Sequence, residues 1–169
     1  MTATLPYPTL AADSDFAPLS RVWMYLADRN LSDAEVAAVN AHLTHFCRQW
    51  TAHNMALKAR GEVFAHRLLL LMVDETLAGA SGCSIDKSVH FLEAIGHELR
   101  VDWFDRMQFA WLDKNGDIAF GTKSVFEDKV HTGHITPETP MMNTLANTRE
   151  ALQTQFWVAF QGSWQKKLV

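Results

Sequence analysis

Cysteine and positive charge are both scarce in this chain. Two of the 169 residues are cysteine, and 15 Lys and Arg residues are outnumbered by 19 Asp and Glu residues, which gives a formal net charge of −4. Proteins that bind nucleic acid draw much of their affinity from clustered Lys and Arg, so the charge argues against a nucleic-acid partner. Two cysteines without a secretion signal predict reduced thiols in a cytoplasmic protein.

Long apolar runs are missing as well. The longest, residues 68–73, is far shorter than the roughly 20 residues that cross a bilayer, so we expect no membrane partner. Residues 1–19 contain Pro6, Pro8 and Pro18 but no Lys or Arg, a composition unlike that of a signal peptide. They predict an N-terminal arm that packs loosely or is mobile.

Large apolar side chains, in contrast, are plentiful. The sequence is 48% hydrophobic and has six Trp and ten Phe residues, enough for one sizeable buried core. At this length we expect a single domain, residues 20–169, after the arm.

The first half of the chain predicts a strand, a helix and two further strands. Residues 21–26 are rich in β-branched and aromatic side chains, which is typical of a strand. Ser32 and Glu35 have the spacing of a capping box, and apolar residues then recur every three or four positions as far as Trp50, which predicts helix 1. Residues 58–66 and the apolar run after them predict two strands, the second central and covered on both faces.

The second half begins with a small-residue segment, residues 80–86, that joins the apolar strand to an amphipathic helix 2. The apolar segments 107–112 and 118–122 flank Asn115-Gly116, and this dipeptide between apolar runs is the strongest short-range signal for a β-hairpin. We therefore expect two more strands joined by a tight turn.

The order βαββαβ over residues 21–112 predicts the fold class. It matches a ferredoxin-like α+β sandwich, here with an extra hairpin strand and a C-terminal extension. In the extension, residues 123–130 predict a short helix, residues 144–155 have helical composition, and residues 156–160 fit a strand or a helix end. Because the sheet face without helices would be apolar, we expect the C-terminal segment or a second subunit to cover it.

Cys83 is the leading candidate for chemistry. It is predicted in the first turn of helix 2, where free amides and the helix dipole favour an anion and hence a reactive thiolate. Ser84 and Asp86 would belong to the same ligand site. The structural alternative is a tight turn at residues 81–84, in which Cys83 or Ser84 caps the helix and Asp86 adds a favourable charge.

Three further residues are candidates for such a site. His53 could act as the base for Cys83 if imidazole and thiol form a hydrogen bond, but in a ferredoxin-like chain its loop lies at the opposite sheet edge from helix 2 unless loops fold over. Arg21 or Arg106 could hold a carboxylate or a phosphate. The structural alternatives are a loop histidine packed on Trp50 and a salt bridge from Arg106 to a nearby aspartate.

No metal or cofactor site is predicted. Two of the histidine pairs have close spacing, His42 with His45 and His131 with His134, but neither has a third ligand at a recognisable distance in the sequence. The segment around Gly116 departs from both the calcium-loop and the phosphate-loop patterns.

Five short motifs carry a family resemblance: Ser20-Arg21-Val22-Trp23, Trp50-Thr51-Ala52-His53, Val73-Asp74-Glu75, Ala80 to Asp86, and Asp105-Arg106. Over residues 20–165 the chain resembles a family of small uncharacterised bacterial proteins, frequent among Bacteroidetes and often labelled "ABC transporter ATPase". An ABC ATPase needs Walker A, Walker B and signature motifs that this sequence lacks, so we reject an ATPase activity. The resemblance favours functional roles for the residues that match its motifs: Arg21, Trp23, Trp50, His53, Cys83, Ser84, Asp86 and Arg106.

Two hypotheses for function follow, and they differ on whether the protein is an enzyme. In the first, it is a small cytoplasmic protein that binds a small anionic or thiol-reactive ligand at the start of helix 2. Cys83 is then the nucleophile or redox thiol, His53 its base, and Arg21 or Arg106 an anion clamp. In the second, it is a non-enzymatic interaction module or homodimer that buries an aromatic-rich sheet face against a partner.

Overall fold

Helices and strands both occur along residues 4–169, the part of the chain that the computed structural model describes. The helices are α1 (Asp33–Gln49), α2 (Gly82–Leu99), α3 (Lys123–His131) and α4 (Arg149–Thr154). The strands are β1 (Arg21–Leu26), β2 (Thr51–Ala52), β3 (Met55–Ala56), β4 (Lys58–Phe64), β5 (Leu68–Asp74), β6 (Gln108–Leu112), β7 (Ile118–Thr122), β8 (Pro140–Met142) and β9 (Trp157–Ala159). The chain is α+β, as the sequence predicts.

The first sheet has the strand order β1-β5-β4 and is antiparallel throughout. Its central strand β5 is buried at all seven positions, which agrees with its uninterrupted apolar sequence. The helices α1 and α2 cover one face, where Val39 and Leu43 of α1 pack with Leu69 and Leu71 of β5 and with Leu92 of α2. The predicted order of strand, helix, strand and strand is therefore present in this half.

The helix α1 begins at the predicted capping box. The Ser32 hydroxyl accepts a hydrogen bond from the Glu35 amide at 3.1 Å, and the Glu35 carboxylate accepts one from the Ser32 amide at 2.8 Å. Arg29 also pairs with this carboxylate, and its hydrogen bond is the main reason that the pKa of Glu35 falls to about 2.

The second sheet has the order β7-β6-β8-β9. The ferredoxin-like prediction requires β6 to be the fourth strand of the first sheet, beside β1, so that finer topology is not confirmed. Both edges of β6 are occupied, by β7 through the predicted hairpin and by β8. The place beside β1 is partly filled by another segment, since the Val22 amide donates to the Asn147 carbonyl and the Arg149 amide to the Ser20 carbonyl.

The C-terminal part of the chain covers the second face of the first sheet, one of the two arrangements expected from the sequence. Leu70 and Met72 of β5 pack there in one cluster with Met142, Leu152 and Phe156. The tail is less helical than its composition predicts, because α4 begins only at Arg149, after the Thr148 cap, and residues 157–159 form β9. The predicted short helix after residue 122 is α3.

The N-terminal arm packs against the sheet more firmly than expected. A 3₁₀ turn at Thr9–Ala12 places Leu10 and Ala11 in the core, and Phe16 joins the same cluster. Asp13 forms a salt bridge with Arg60 of β4.

None of the helices within residues 4–169 is both long enough and apolar enough to span a membrane.

Candidate functional site

The first turn of α2 is capped by two serines. The Ser81 hydroxyl accepts a hydrogen bond from the Ser84 amide at 3.2 Å, and the Ser84 hydroxyl accepts one from the Ser81 amide at 2.7 Å. The N-cap is therefore Ser81, and Ser84 completes a capping box with it, so of the two expected capping residues Ser84 takes part and Cys83 does not. Cys83 is exposed in this turn, and so is Asp86. The small residues of the segment are thus explained by helix initiation.

His53 lies at the turn of the β2–β3 hairpin. His53 and Asn54 both have left-handed backbone conformations, with φ of 50° and 62°, as a two-residue hairpin turn requires. The imidazole is exposed and makes no hydrogen bond with Cys83 in the described part of the chain. The base and the thiol of the first hypothesis are therefore not joined by a hydrogen bond.

Trp50 nevertheless brings the end of α1 against the start of α2. It is the C-cap of α1, is only 2% exposed, and donates a hydrogen bond of 2.8 Å from its indole nitrogen to the Ser84 carbonyl. The loop after α1 therefore does not lie at the opposite sheet edge from α2, contrary to the expectation from a ferredoxin-like chain.

A chain of aromatic rings extends from this contact. Trp23 lies 6.0 Å from Trp50 between ring centroids, Phe46 lies 5.0 Å from Trp50, and Phe46 stacks on Phe91 of α2 at 4.3 Å. The Arg21 guanidinium lies 4.8 Å from the Trp23 ring centroid. Four of the predicted site residues, Arg21, Trp23, Trp50 and Ser84, are thus linked in a series of contacts.

Arg106 has no salt bridge to the aspartates near it in sequence, which corrects the structural alternative. The Asp102 carboxylate accepts a hydrogen bond from the Phe104 amide instead. Asp105 accepts hydrogen bonds from the Gln108 side chain at 2.8 Å and from the Met107 amide at 2.9 Å, and these bonds lower the pKa of Asp105. Within residues 4–169 the Arg106 guanidinium is exposed and unpaired.

Arg106 and Trp23 line the same cavity, which has a volume of about 700 Å³. Its walls come from β1, from residues 103–108, from residues 144–147 and from Trp164. Three large apolar side chains of the lining are exposed to solvent: Phe104 at 39%, Met107 at 44% and Leu145 at 64%. Tyr25 lies edge-on to Phe104 at 5.6 Å, and burial raises the pKa of its phenol.

The free edge of β1 opens into this cavity. Along a strand, alternate residues direct their main-chain groups to opposite sides, and Val22 directs its amide away from β5 toward Asn147. Met24 and Leu26 have the same orientation as Val22. Among the described residues, nothing pairs with the Met24 amide and carbonyl or with the Leu26 amide. A short stretch of strand edge therefore has main-chain donors and an acceptor without a partner among the described residues.

Two indole N–H groups of the lining also lack partners. The Nε1 atoms of Trp103 and Trp164 are buried and make no hydrogen bond in the described part of the chain. Both atoms are enclosed by protein and are not presented to the cavity, and the Trp103 Nε1 atom lies against α2, 3.6 Å from the place that a Cβ atom at Gly96 would take.

A polar network not anticipated from the sequence positions the 105–108 segment. Arg67 donates to the Ala27 carbonyl at 2.8 Å and to the Gln108 side chain at 3.1 Å, and its guanidinium lies 4.8 Å from the Phe120 ring centroid. Gln108 in turn donates to Asp105. Arg67 thus links both sheets and fixes the turn that carries Arg106. The partners are distant in sequence, so no local pattern marks them.

The remaining candidate clusters add no site. Within residues 4–169, no group of three or more His, Cys, Asp or Glu side chains could hold a metal ion.

Comparisons of this chain with protein-family models, with curated proteins and with solved structures find no match. The family resemblance inferred from the sequence motifs therefore stays a prediction.

Proposed function

We propose that this protein is a non-enzymatic interaction module that binds an extended peptide segment of a partner protein along the free edge of β1. The observation that carries the proposal is the set of unpaired main-chain groups of Met24 and Leu26 at the wall of an apolar cavity. An added peptide strand brings both amides and carbonyls at the spacing of the edge, so it can satisfy these groups in a way that a compact ligand cannot.

The position of the edge favours pairing with a single extended peptide over pairing with the same edge of a second copy of the chain. The stretch around Met24 is bordered by Asn147 at one end and by Asp102 at the other, since the Asp28 amide donates to the Asp102 carbonyl. Two copies of such a recessed edge would collide before their strands could pair. A single extended peptide has no flanking segments and can enter.

The side chains around the edge indicate which side chains the bound peptide should have. A residue placed opposite Met24 would lie beside its side chain, and the peptide residues on either side would lie beside Trp23 and Tyr25. Cross-strand neighbours of aromatic residues are most favourable when they are aromatic or β-branched. We therefore expect apolar, β-prone peptides to bind.

Selection from a display library of random peptides tests this proposal, with binding of the selected peptides measured by fluorescence polarisation. Leu145→Glu places a charge at the apolar rim and should weaken binding at least about tenfold. Leu77→Glu is the matched control, because Leu77 is 88% exposed and does not line the cavity. It should leave binding unchanged.

Hydrogen exchange provides the second readout. A bound strand should slow exchange of the Met24 and Leu26 amides, because it would supply their missing acceptors. The proposal is wrong if no peptide is selected, or if selected peptides bind the Leu145→Glu variant as tightly as the unmodified protein.

A second candidate is the thiol-ligand function predicted from the sequence, and the exposure of Cys83 in the first turn of α2 favours it. A small electrophile or anion could reach the thiol there, next to the free amides of the helix start. His53 makes no hydrogen bond with Cys83 within residues 4–169, so its role as the base stays a prediction. The rate at which a thiol reagent labels Cys83 in the folded protein decides this candidate.

A further inference from the structure

The free edge of β1 is short and closed at both ends. At one end the Val22 amide donates to the Asn147 carbonyl at 2.9 Å, and at the other the Asp28 amide donates to the Asp102 carbonyl at 3.2 Å. A peptide paired with Met24 must leave the edge within a few residues in each direction. An internal segment of a partner would have to turn outward twice, whereas a chain terminus needs to do so only once.

The charges of the cavity distinguish between the two kinds of terminus. Among the described residues that line it, the charged side chains are Asp105 and Arg106. The Asp105 carboxylate already accepts hydrogen bonds from Met107 and Gln108, whereas Arg106 has no partner. Of the two charged groups, the Arg106 guanidinium is therefore the one without a partner, and a guanidinium binds a carboxylate with two parallel hydrogen bonds.

The two ends of a peptide differ in what they bring to Arg106. The edge itself presents the unpaired amides of Met24 and Leu26 and the unpaired carbonyl of Met24, which the main chain of either kind of terminus can satisfy. A C-terminus adds two carboxylate oxygens, which accept hydrogen bonds from a guanidinium. An N-terminal ammonium group would bring only donors and a repulsive charge toward Arg106.

From this juxtaposition we infer that the partner segment is a free C-terminal tail, whose terminal carboxylate binds Arg106 while its last residues pair with the edge of β1. This inference rests on the proposed peptide-binding function and adds the chemistry that the site recognises. Arg106 is then the residue that selects a chain end over an internal segment.

The test compares two forms of the same ligand. Random peptides are selected from a library displayed with free C-termini, and the best binders are synthesised with a terminal carboxylate and with a terminal amide. Amidation removes the charge and should weaken binding about tenfold or more, as loss of one charge-assisted hydrogen-bonded pair does.

Two variants locate the effect. Arg106→Gln should reduce affinity for the carboxylate form to that of the amide form, and it should leave the affinity for the amide form unchanged. Arg21→Gln is the matched control: Arg21 is also an exposed arginine beside Trp23, but it does not line the cavity. Its substitution should preserve the preference for the carboxylate. Circular dichroism of both variants checks that the fold is intact.

The outcomes separate this inference from the function on which it rests. If peptides bind but amidation or Arg106→Gln has no effect, the C-terminal inference is overturned and the peptide-binding function stands. If no peptide binds in either form, both are wrong.

Discussion

The indole nitrogen of Trp50 donates a hydrogen bond of 2.8 Å to the main-chain carbonyl of Ser84, 34 positions later in the chain. This contact fastens the end of α1 to the first turn of α2, inside the cluster that also contains Ala52, Leu57 and Val73. Trp50 and Ser84 both belong to the sequence motifs on which the predicted resemblance to a bacterial family rests. Their contact gives those motifs a structural explanation that requires no ligand.

Trp50→Phe should therefore destabilise the protein by about 1–2 kcal/mol, because it keeps an aromatic ring but removes the donor from a buried carbonyl. Urea denaturation followed by circular dichroism measures the loss. Trp23→Phe is the control, since Trp23 is half-buried in the same aromatic chain and its indole donates no hydrogen bond within the described residues. Equal losses in the two variants would mean that the hydrogen bond is not what stabilises the contact.

Features set by neighbours in the sequence could be predicted well. The capping box of Ser32 and Glu35, the boundaries of β1 and the hairpin around Asn115-Gly116 depend on residues within a few positions of one another, and all three are present. The complete burial of β5 was also evident, because only a strand covered on both faces tolerates an unbroken apolar sequence.

Features set by distant residues could not be predicted. Nothing in the sequence of β6 indicates that its second neighbour is β8 and not β1, because both are antiparallel strands with apolar residues. The same limit applies to the site. The aspartates near Arg106 were expected to pair with it, but Asp105 instead binds Gln108, which Arg67 holds from the other sheet.

Asp74 makes stability depend on pH in the acid range. Its carboxylate accepts hydrogen bonds from Thr76 and from the Ala17 amide at 3.1 Å, and Lys58 lies 3.6 Å away. These contacts, with the Thr76 hydroxyl as the largest cause, lower the pKa of Asp74 to about 2. The ordinary value is about 3.9, so their contribution should be complete above about pH 4 and lost as the pH falls toward 2.

Asp74→Asn should lower stability at neutral pH by about 1–2 kcal/mol, since the amide cannot accept from both Thr76 and Ala17. It should also flatten the pH dependence of the unfolding free energy between about pH 4 and 2. Asp117→Asn, at an exposed acid in the hairpin turn, should change neither. If the Asp74→Asn variant lost stability between about pH 4 and 2 as steeply as the unmodified protein, Asp74 would not be the cause of this pH dependence.

Gly96 permits the close approach of α2 to the segment that follows it. A Cβ atom at this position would lie 2.6 Å from the Val101 carbonyl oxygen and 3.2 Å from Trp103. Ala normally stabilises a helix interior by up to about 1 kcal/mol relative to Gly, but a clash with main-chain atoms cannot be relieved by turning a side chain. The clash should outweigh the gain in helix propensity, so Gly96→Ala should destabilise the protein by about 1–3 kcal/mol.

Gly82→Ala is the matched control in the same helix. A Cβ atom at Gly82 would meet nothing within 4 Å, so the propensity gain is not opposed. The midpoint of thermal unfolding should therefore fall in the Gly96→Ala variant, and in the Gly82→Ala variant it should rise or stay the same. A Gly96 variant as stable as the Gly82 variant would show that the 101–103 segment moves freely.

The two thiols should differ sharply in reactivity. Cys47 is 6% exposed, and burial raises the pKa of its thiol to about 12, whereas Cys83 is exposed at the start of α2. A thiol reagent should therefore label one cysteine in the folded protein and two after denaturation, and Cys83→Ser should abolish the native labelling. The rate at Cys83 then decides the thiol-ligand function. If Cys83 reacts near neutral pH no faster in the folded protein than in the denatured chain, its place at the helix start does not activate it, and the nucleophile hypothesis fails.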